Sequence, residues 1–496
     1  MNRNLAAALA VAVILATALY LLPIPQRGLV GPDEPRYASI ARHMSESGDW
    51  VTPNLWGEPW FEKPAMLFWL GGVGHAAGLQ SYVRVPVALL SLAFLGFFWW
   101  KVRESFGIGA AATATCILGT SAGWVAYSDA GVFDAPVTVF ASAALLSLLP
   151  WVSGSDSGVS RHLIPFGALL GLGTLSKGLV APVVAILALI PGVLRRPRRI
   201  QALLGPRALI PFAAVCLPWY AACYWRNGRV FVDEFIVRHH LERFFSSSLE
   251  HVQPWWFFAP VLLTFLLPWT PLLFGLDRSA LWREPGLRFL AAWAFGPILF
   301  FSLSVNKLPA YILPSLPPLA ILLALTWRRS VRKGLLVCAA STLALAPLAG
   351  ALLPAGLADG ITRAWGGLDS GSLGGGILAG VALAAVAALA ALKLGRPWAV
   401  PGVAAVAALA LVALKFQSYP GVSRAAGTRE FFLENRSALE EACIGEVRRH
   451  VAYGLAHYGE GSIPDCDGEP RPQRIEGDPP RIVSDRPGRG TVTARP

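Results

Sequence analysis

The sequence predicts an all-α polytopic membrane protein with about thirteen transmembrane helices. Two observations of composition and one of charge predict it. Of the 496 residues, 54% are hydrophobic and only 15% are charged, too few polar groups to cover a water-soluble chain of this length. Apolar runs that approach the roughly 20 residues needed to cross hydrocarbon, or fewer inside a bundle, recur along the chain. The basic residues then fall in alternate connections.

The runs are 5–22, 84–100, 109–126, 132–151, 164–176, 179–194, 208–225, 255–276, 289–304, 309–327, 334–354, 373–392 and 398–414. The pair 164–176 and 179–194 flanks a break that holds Lys177. With Met1 in the cytoplasm, the inner segments carry 18 Lys and Arg. The short outer turns carry Lys177, Lys307 and Arg363. This is the positive-inside asymmetry, so the net charge of +12 reports topology and does not imply nucleic acid. Residues 5–22 are read as a retained helix, longer than the usual signal-peptide core of about 7–15 apolar residues.

An odd span count puts residues 416–496 outside, so the chain divides into a membrane domain, 1–415, and an extracytoplasmic tail or small α/β domain, 416–496. Within the tail, Phe431 to Tyr458 has folding potential, and the Pro- and Gly-rich stretch from Asp467 onward reads as largely irregular. Cys443 and Cys466 can pair in an oxidising compartment. The other four cysteines, Cys116, Cys216, Cys223 and Cys338, lie in apolar runs as small buried hydrophobes.

Three outer regions concentrate polar groups. In 23–83, Asp33 and Glu34 follow Pro32 at a helix start, where acids suit the helix dipole. Trp50, Trp56, Trp60, Phe61 and Trp69 surround these charges, as in amphipathic helices lying in the membrane interface. A carboxylate pair at that depth is costly unless it is used. The second region, 226–254, holds Asp233, Glu234, Arg238, His239, His240, Glu242, Arg243 and His251. His and carboxylate donors suit zinc, but adjacent His239 and His240 face different sides of a helix, so at most one serves a single ion. A solvated charged helix explains much of the same pattern. The third group is Asp129, Asp134, Lys177 and Asn306-Lys307, at outer membrane edges. Snorkelling is the plain account of the lysines, and N-capping that of Asp134. All three regions lie on one side, which favours a catalytic chamber over the midplane site of a transporter.

The run GPDEPRYASIARHMSESGDWVTPNLWGEPWFEKP resembles the first outer loop of the aminoarabinose-transferase-like membrane glycosyltransferases of the GT-C class. The match runs through Asp33, Glu34, Arg36, Tyr37, Gly48, Asp49, Trp50, Pro53, Phe61, Glu62, Lys63 and Pro64. Asp134, Leu175–Gly178, His240–Phe244, His251 with Pro254–Trp256, and Lys307–Pro314 extend it in order to about residue 327. Asp129 departs from the pattern, since relatives often carry a basic residue near that position. The resemblance implies thirteen spans, an active site outside the cytoplasmic (inner) membrane, and sugar transfer from an undecaprenyl-phosphate-like carrier to an acceptor such as lipid A, with anomeric inversion. A lipid or sugar transporter, or a glycan polymerase or ligase with a pyrophosphate-linked donor, are the rival readings.

On this basis Lys63 and Arg243 grip the carrier phosphate, and Lys307 and Tyr311 line the carrier or sugar site. Asp33 is the base toward a hydroxyl acceptor, and Asp134 orients acceptor or sugar. Glu34, Arg36, Tyr37, Lys177 and His251 support them. The position matching Glu62 is associated with a metal in relatives, which implies zinc or magnesium on Glu62 and His239 or His240.

Overall fold

In a bilayer every backbone amide must find its partner within the chain, so the apolar runs resolve into helices. The computed structural model describes residues 3–154, 158, 160–195, 201–235, 252–329, 332–359, 370–461, 463–468, 471–478 and 480–484. Among these, eight helices are long and apolar enough to cross a membrane: Arg84–Phe106, Asp134–Ser153, Ala202–Phe235, Pro285–Ser302, Pro309–Arg329, Lys333–Pro354, Gly375–Lys393 and Arg396–Ala426. Shorter apolar helices cover Ala10–Gln26, Ile108–Gly119 and Val180–Pro191. The break expected at Lys177 is present, between helices Ser160–Lys177 and Val180–Arg195.

Two of the expected spans are interrupted. The run 109–126 divides into Ile108–Gly119 and Ala122–Tyr127, with extended backbone at Ser121. The run 255–276 divides into Phe258–Phe265 and a 3-10 segment, Thr270–Gly275. Pro268 and Pro271 lack the amide hydrogen an unbroken helix would need there. The main core is built on Trp124, Trp269, Trp293 and Trp327, all nearly inaccessible to solvent.

The first outer segment folds as helix Asp33–Ser47, a two-strand hairpin (Asn54–Leu55 with Glu58–Pro59), and helix Met66–Ala76. Gly48 ends the first helix with φ +71°, a conformation open to glycine. The two helices meet at Gly71, where an added Cβ would stand 2.8 Å from the Ala41 Cβ. Asp49 locks the following turn by accepting from the Val51 and Thr52 amides at 2.9 and 3.2 Å. Those hydrogen bonds and nearby Arg226, together, outweigh burial and hold its carboxyl below the usual range.

The C-terminal segment carries helices Arg429–Glu434, Arg436–Leu439 and Arg449–Tyr458. Strand Gln473–Glu476 is central in a three-stranded sheet, parallel to Ala442–Ile444 and antiparallel to Arg481–Ser484. The stretch beyond Asp467 is thus not wholly irregular. Its short Arg474-Ile475 and Ile482-Val483 pairs are recruited into strands by a neighbour distant in sequence, a tertiary effect that local composition does not carry. Cys443 and Cys466 are disulfide-bonded, as expected for an oxidising compartment.

Two buried ionic clusters tie the ends of the chain together. Asp129 accepts from Lys415 at 2.9 Å and from the Tyr419 hydroxyl at 2.8 Å, with Arg27 at 3.9 Å. Breaking such a pair strands a charge away from water and typically costs about 3–5 kcal/mol. Lys415→Met is therefore expected to lower the Tm of the purified protein more than the double variant Asp129→Asn/Lys415→Met. Equal Tm values for the two would show that the pair is not coupled.

Candidate active site

Neighbouring Asp33 and Glu34 occupy opposite environments, because successive residues of a helix diverge by about 100°. Glu34 is buried and receives a bidentate grip from Arg84, whose Nε donates to Oε1 at 3.0 Å and whose Nη2 meets Oε2. The amides of Val30 and Gly131 donate to the same carboxylate at 2.9 and 2.8 Å, and Arg27 lies at 3.7 Å. Burial alone would raise its pKa. The charges of Arg84 and Arg27 and the hydrogen bonds overcome that and bring it from 4.5 to about 2. Glu34 is a fixed, ionised anchor.

Asp33 is about half exposed and pairs with Arg36 one turn on. The Arg36 guanidinium also stands 3.8 Å from Glu62. Lys63 donates to the Glu62 carbonyl at 3.2 Å, so Asp33, Arg36, Glu62 and Lys63 form one connected group. Tyr37 packs edge-on against Phe133, 4.9 Å between centroids. Its hydroxyl is pushed well above its ordinary pKa, first by burial and then by Asp33, Glu62 and Asp134. Phe133 immediately precedes Asp134, so this ring contact ties the start of the second predicted acid's helix to the helix that carries Asp33.

Asp134 begins helix Asp134–Ser153 but caps no amide with its side chain. It accepts from Lys177 at 2.6 Å, so neither N-capping nor snorkelling accounts for the two. Lys177 also stands 5.3 Å from the centroid of Tyr311. Four residues before Tyr311, Lys307 is buried, and its ammonium donates to the carbonyls of Gln253 (2.8 Å) and Ser304 (2.5 Å). Among the described residues no carboxylate pairs with it. Burial lowers its pKa.

Arg243, His239, His240 and His251 lie outside the described residues, as do Arg238 and Glu242. The metal reading consequently rests on Glu62 alone, and Glu62 faces the Arg36 cation. Among the described residues no group of three metal-ligating side chains occurs. The described residues by themselves do not assemble a metal site, the call on His239 and His240 lies outside them, and no step below passes through a metal.

A family model described as dolichyl-phosphate-mannose-protein mannosyltransferase matches residues 62–223. The undecaprenyl phosphate-alpha-4-amino-4-deoxy-L-arabinose arabinosyl transferase of Erwinia tasmaniensis is 35% identical over 322 residues, 62% of this chain and 56% of that protein. The transferase of the same name from Pseudomonas paraeruginosa is 35% identical over 357 residues, 66% of this chain and 63% of that one. The chain thus spans less than two thirds of the length of these relatives. The crystal structure of ArnT from Cupriavidus metallidurans bound to undecaprenyl phosphate superposes with a TM-score of 0.73 at 22% identity, covering 93% of this chain and 92% of that one. Its apo form gives 0.74. The chain has the ArnT fold. It is the multi-pass, GT-C-type architecture that the resemblance implied.

On this ArnT-like frame the sequence reading missed the groups that hold the site in place. Arg27, Arg84 and Lys415 are single basic residues at the edges of apolar runs, and nothing local marks Arg84 as the partner of Glu34. The one available signal was arithmetic: a buried acid at position 34 requires a cation that its own helix does not supply. Because the folded pKa of Glu34 is depressed, its stabilising effect is present above about pH 4.5 and is lost as pH falls toward 2. Glu34→Gln should lower Tm at neutral pH and flatten the decline in Tm between those pH values. A Tm–pH curve unchanged in shape would contradict this.

Proposed function

We propose that the protein is a membrane glycosyltransferase that moves a sugar from a polyprenyl-phosphate carrier to a lipid or other extracytoplasmic acceptor, lipid A being the leading candidate. The observation that carries this reading is the joining of Asp33, Arg36, Glu62 and Lys63 with Asp134, Lys177 and Tyr311 through Tyr37 and Phe133, on an ArnT-type fold. The relatives' names point to an undecaprenyl-phosphate aminoarabinose donor. The thirteen-span count, the cytoplasmic N-terminus, the extracytoplasmic tail and the inner-membrane location belong to the same reading, supported by the charge asymmetry.

The chemistry is a displacement at the anomeric carbon. The bond to the phosphate oxygen breaks with its electron pair, and an acceptor oxygen forms the new bond from the opposite face, inverting the centre. Negative charge grows on the departing phosphate, so cations placed there act more strongly on the transition state than on the ground state. Lys63 stands beside the entry of helix Met66–Ala76, where a lipid phosphate at the interface would lie. Lys307, held by carbonyls and by no carboxylate among the described residues, is a second cation for the same anion. Arg243 is a further candidate through its planar fork.

Asp33 takes the proton of a hydroxyl acceptor. Arg36 binds its Oδ1 and orients the carboxylate. If the acceptor is an anionic phosphate, no proton needs removing, and Asp33 with Asp134 positions the sugar through its polar substituents. Lys177 holds Asp134 in place.

Lys63→Ala and Asp33→Asn are each expected to reduce transfer about 100-fold or more, with membrane insertion and Tm unchanged. The measurement is transfer of labelled sugar from undecaprenyl-phosphate aminoarabinose to lipid A by the purified protein. Full activity in both variants would sink the assignment.

A further inference from the structure

The Arg449–Tyr458 helix of the C-terminal segment lies on the helix that carries Asp33. Ser39 Oγ meets His457 Nδ1 at 3.0 Å, Arg42 donates to the His457 carbonyl at 3.2 Å, and the Leu29 amide donates to the Tyr458 hydroxyl at 3.1 Å. One turn before His457 on that helix, Tyr453 reaches beyond this docking contact. Its ring centroid is 5.2 Å from the Arg36 guanidinium and 5.4 Å from the Trp56 ring. Arg36 also stands over Trp60 at 5.5 Å and bears Asp33 and Glu62.

Two features set this cluster apart from ordinary interdomain packing. Trp56 sits at the hairpin tip with φ +54°, a left-handed conformation that is a genuine outlier for a bulky residue and that Asn or Gly would adopt without strain. Outliers of this kind gather at ligand sites. In addition, Trp56 Nε1 and Arg36 Nε are buried without a hydrogen-bond partner among the described residues, whereas native packing normally satisfies such donors.

Ring faces beside inward N–H donors, with a guanidinium flanked by two carboxylates, match the chemistry of a pyranose: an apolar C–H face and a rim of hydroxyls. We propose that Tyr453 and Trp56 form a stacking subsite for a sugar ring of the acceptor, so that the C-terminal segment selects what receives the glycosyl group. The acceptor is assigned because on the reading above the donor places its phosphate at Lys63, and because Tyr453 comes from the C-terminal segment, beyond residue 327, where the motif resemblance ends. This inference rests on the transferase reading above.

The test is steady-state transfer by the purified full chain, varying lipid A and undecaprenyl-phosphate aminoarabinose separately. Tyr453→Ala should raise the KM for lipid A about tenfold, leaving the donor KM and Tm unchanged, and Tyr453→Phe should restore most of the acceptor affinity. Trp56→Leu, which removes the other ring of the pair in a different segment, should show the same split even if Tyr453→Ala fails to fold. Ser39→Ala, which loosens docking away from the rings, should leave the acceptor KM alone. An equal rise in donor KM, or an equal rise in acceptor KM in Ser39→Ala, would overturn the subsite and reduce Tyr453 to a docking residue. Wild-type protein that transfers no sugar would instead overturn the transferase reading, and the subsite with it.

Discussion

The Arg84–Glu34 pair is the interaction on which the placement of the candidate site depends. It joins the start of one membrane helix, Arg84–Phe106, to the first turn of the helix that carries Asp33, Arg36 and Tyr37. Arg84 also donates to the carbonyls of Arg27 and Gly28 at 2.5 and 2.6 Å, so one guanidinium fixes both the approach to that helix and its first carboxylate. Arg27 passes the restraint on to Asp129, and Asp129 to Lys415 and Tyr419 near the end of the last membrane helix. Five charges are thereby held away from water, which is tolerable because each has partners of opposite sign in contact. An amphipathic helix on a lipid surface would otherwise be free to slide and tilt. Chemistry at an anomeric carbon needs geometry held to a fraction of an ångström.

The two adjacent acids show how environment divides one residue type into two tasks. Glu34 has hydrogen bonds on both oxygens and two cations beside it, so it is held ionised at neutral pH. Asp33 has one oxygen on Arg36 and is half exposed, so it retains the reach a base requires. A sequence that reads D-E at a helix start presents them as a pair. The helical rotation between them, and the presence of a guanidinium on one side, separates them.

Much of this was legible without coordinates, for physical reasons. The positions of the long apolar helices follow from the lipid's demand for long apolar runs. The prediction that Lys63 and Asp33 serve the same reaction came from motif spacing, and their link through Arg36 and Glu62 is a consequence of Arg36 falling one turn after Asp33. What was not legible depends on distance in sequence. Lys415 meets Asp129 across 286 positions, and Tyr453 approaches Arg36 from a segment with no motif. Strand Arg481–Ser484 was hidden in a Pro- and Gly-rich stretch because its pairing partner supplies the order. The departure at Asp129 was visible as an oddity, but its meaning required the two cations that face it.

The placement of the C-terminal segment also bears on why the cations crowd one membrane edge. On the proposed reading the protein handles two lipids whose reactive groups sit at the same interface, and it must distinguish them by what projects from the bilayer. On that reading Lys63 and Lys307 answer the charge of a lipid phosphate, which gives affinity without much discrimination. Selection has to come from groups that read shape and hydroxyl pattern. The described residues that offer this next to Arg36 are aromatic, and one of them, Tyr453, arrives from outside the membrane domain. Docking through His457 and Tyr458 places that ring without using it, since both docking residues make their hydrogen bonds one turn farther along the helix. Positioning and the proposed recognition are therefore separable on a single ten-residue helix, so a substitution at Tyr453 leaves the hydrogen bonds of His457 and Tyr458 in place.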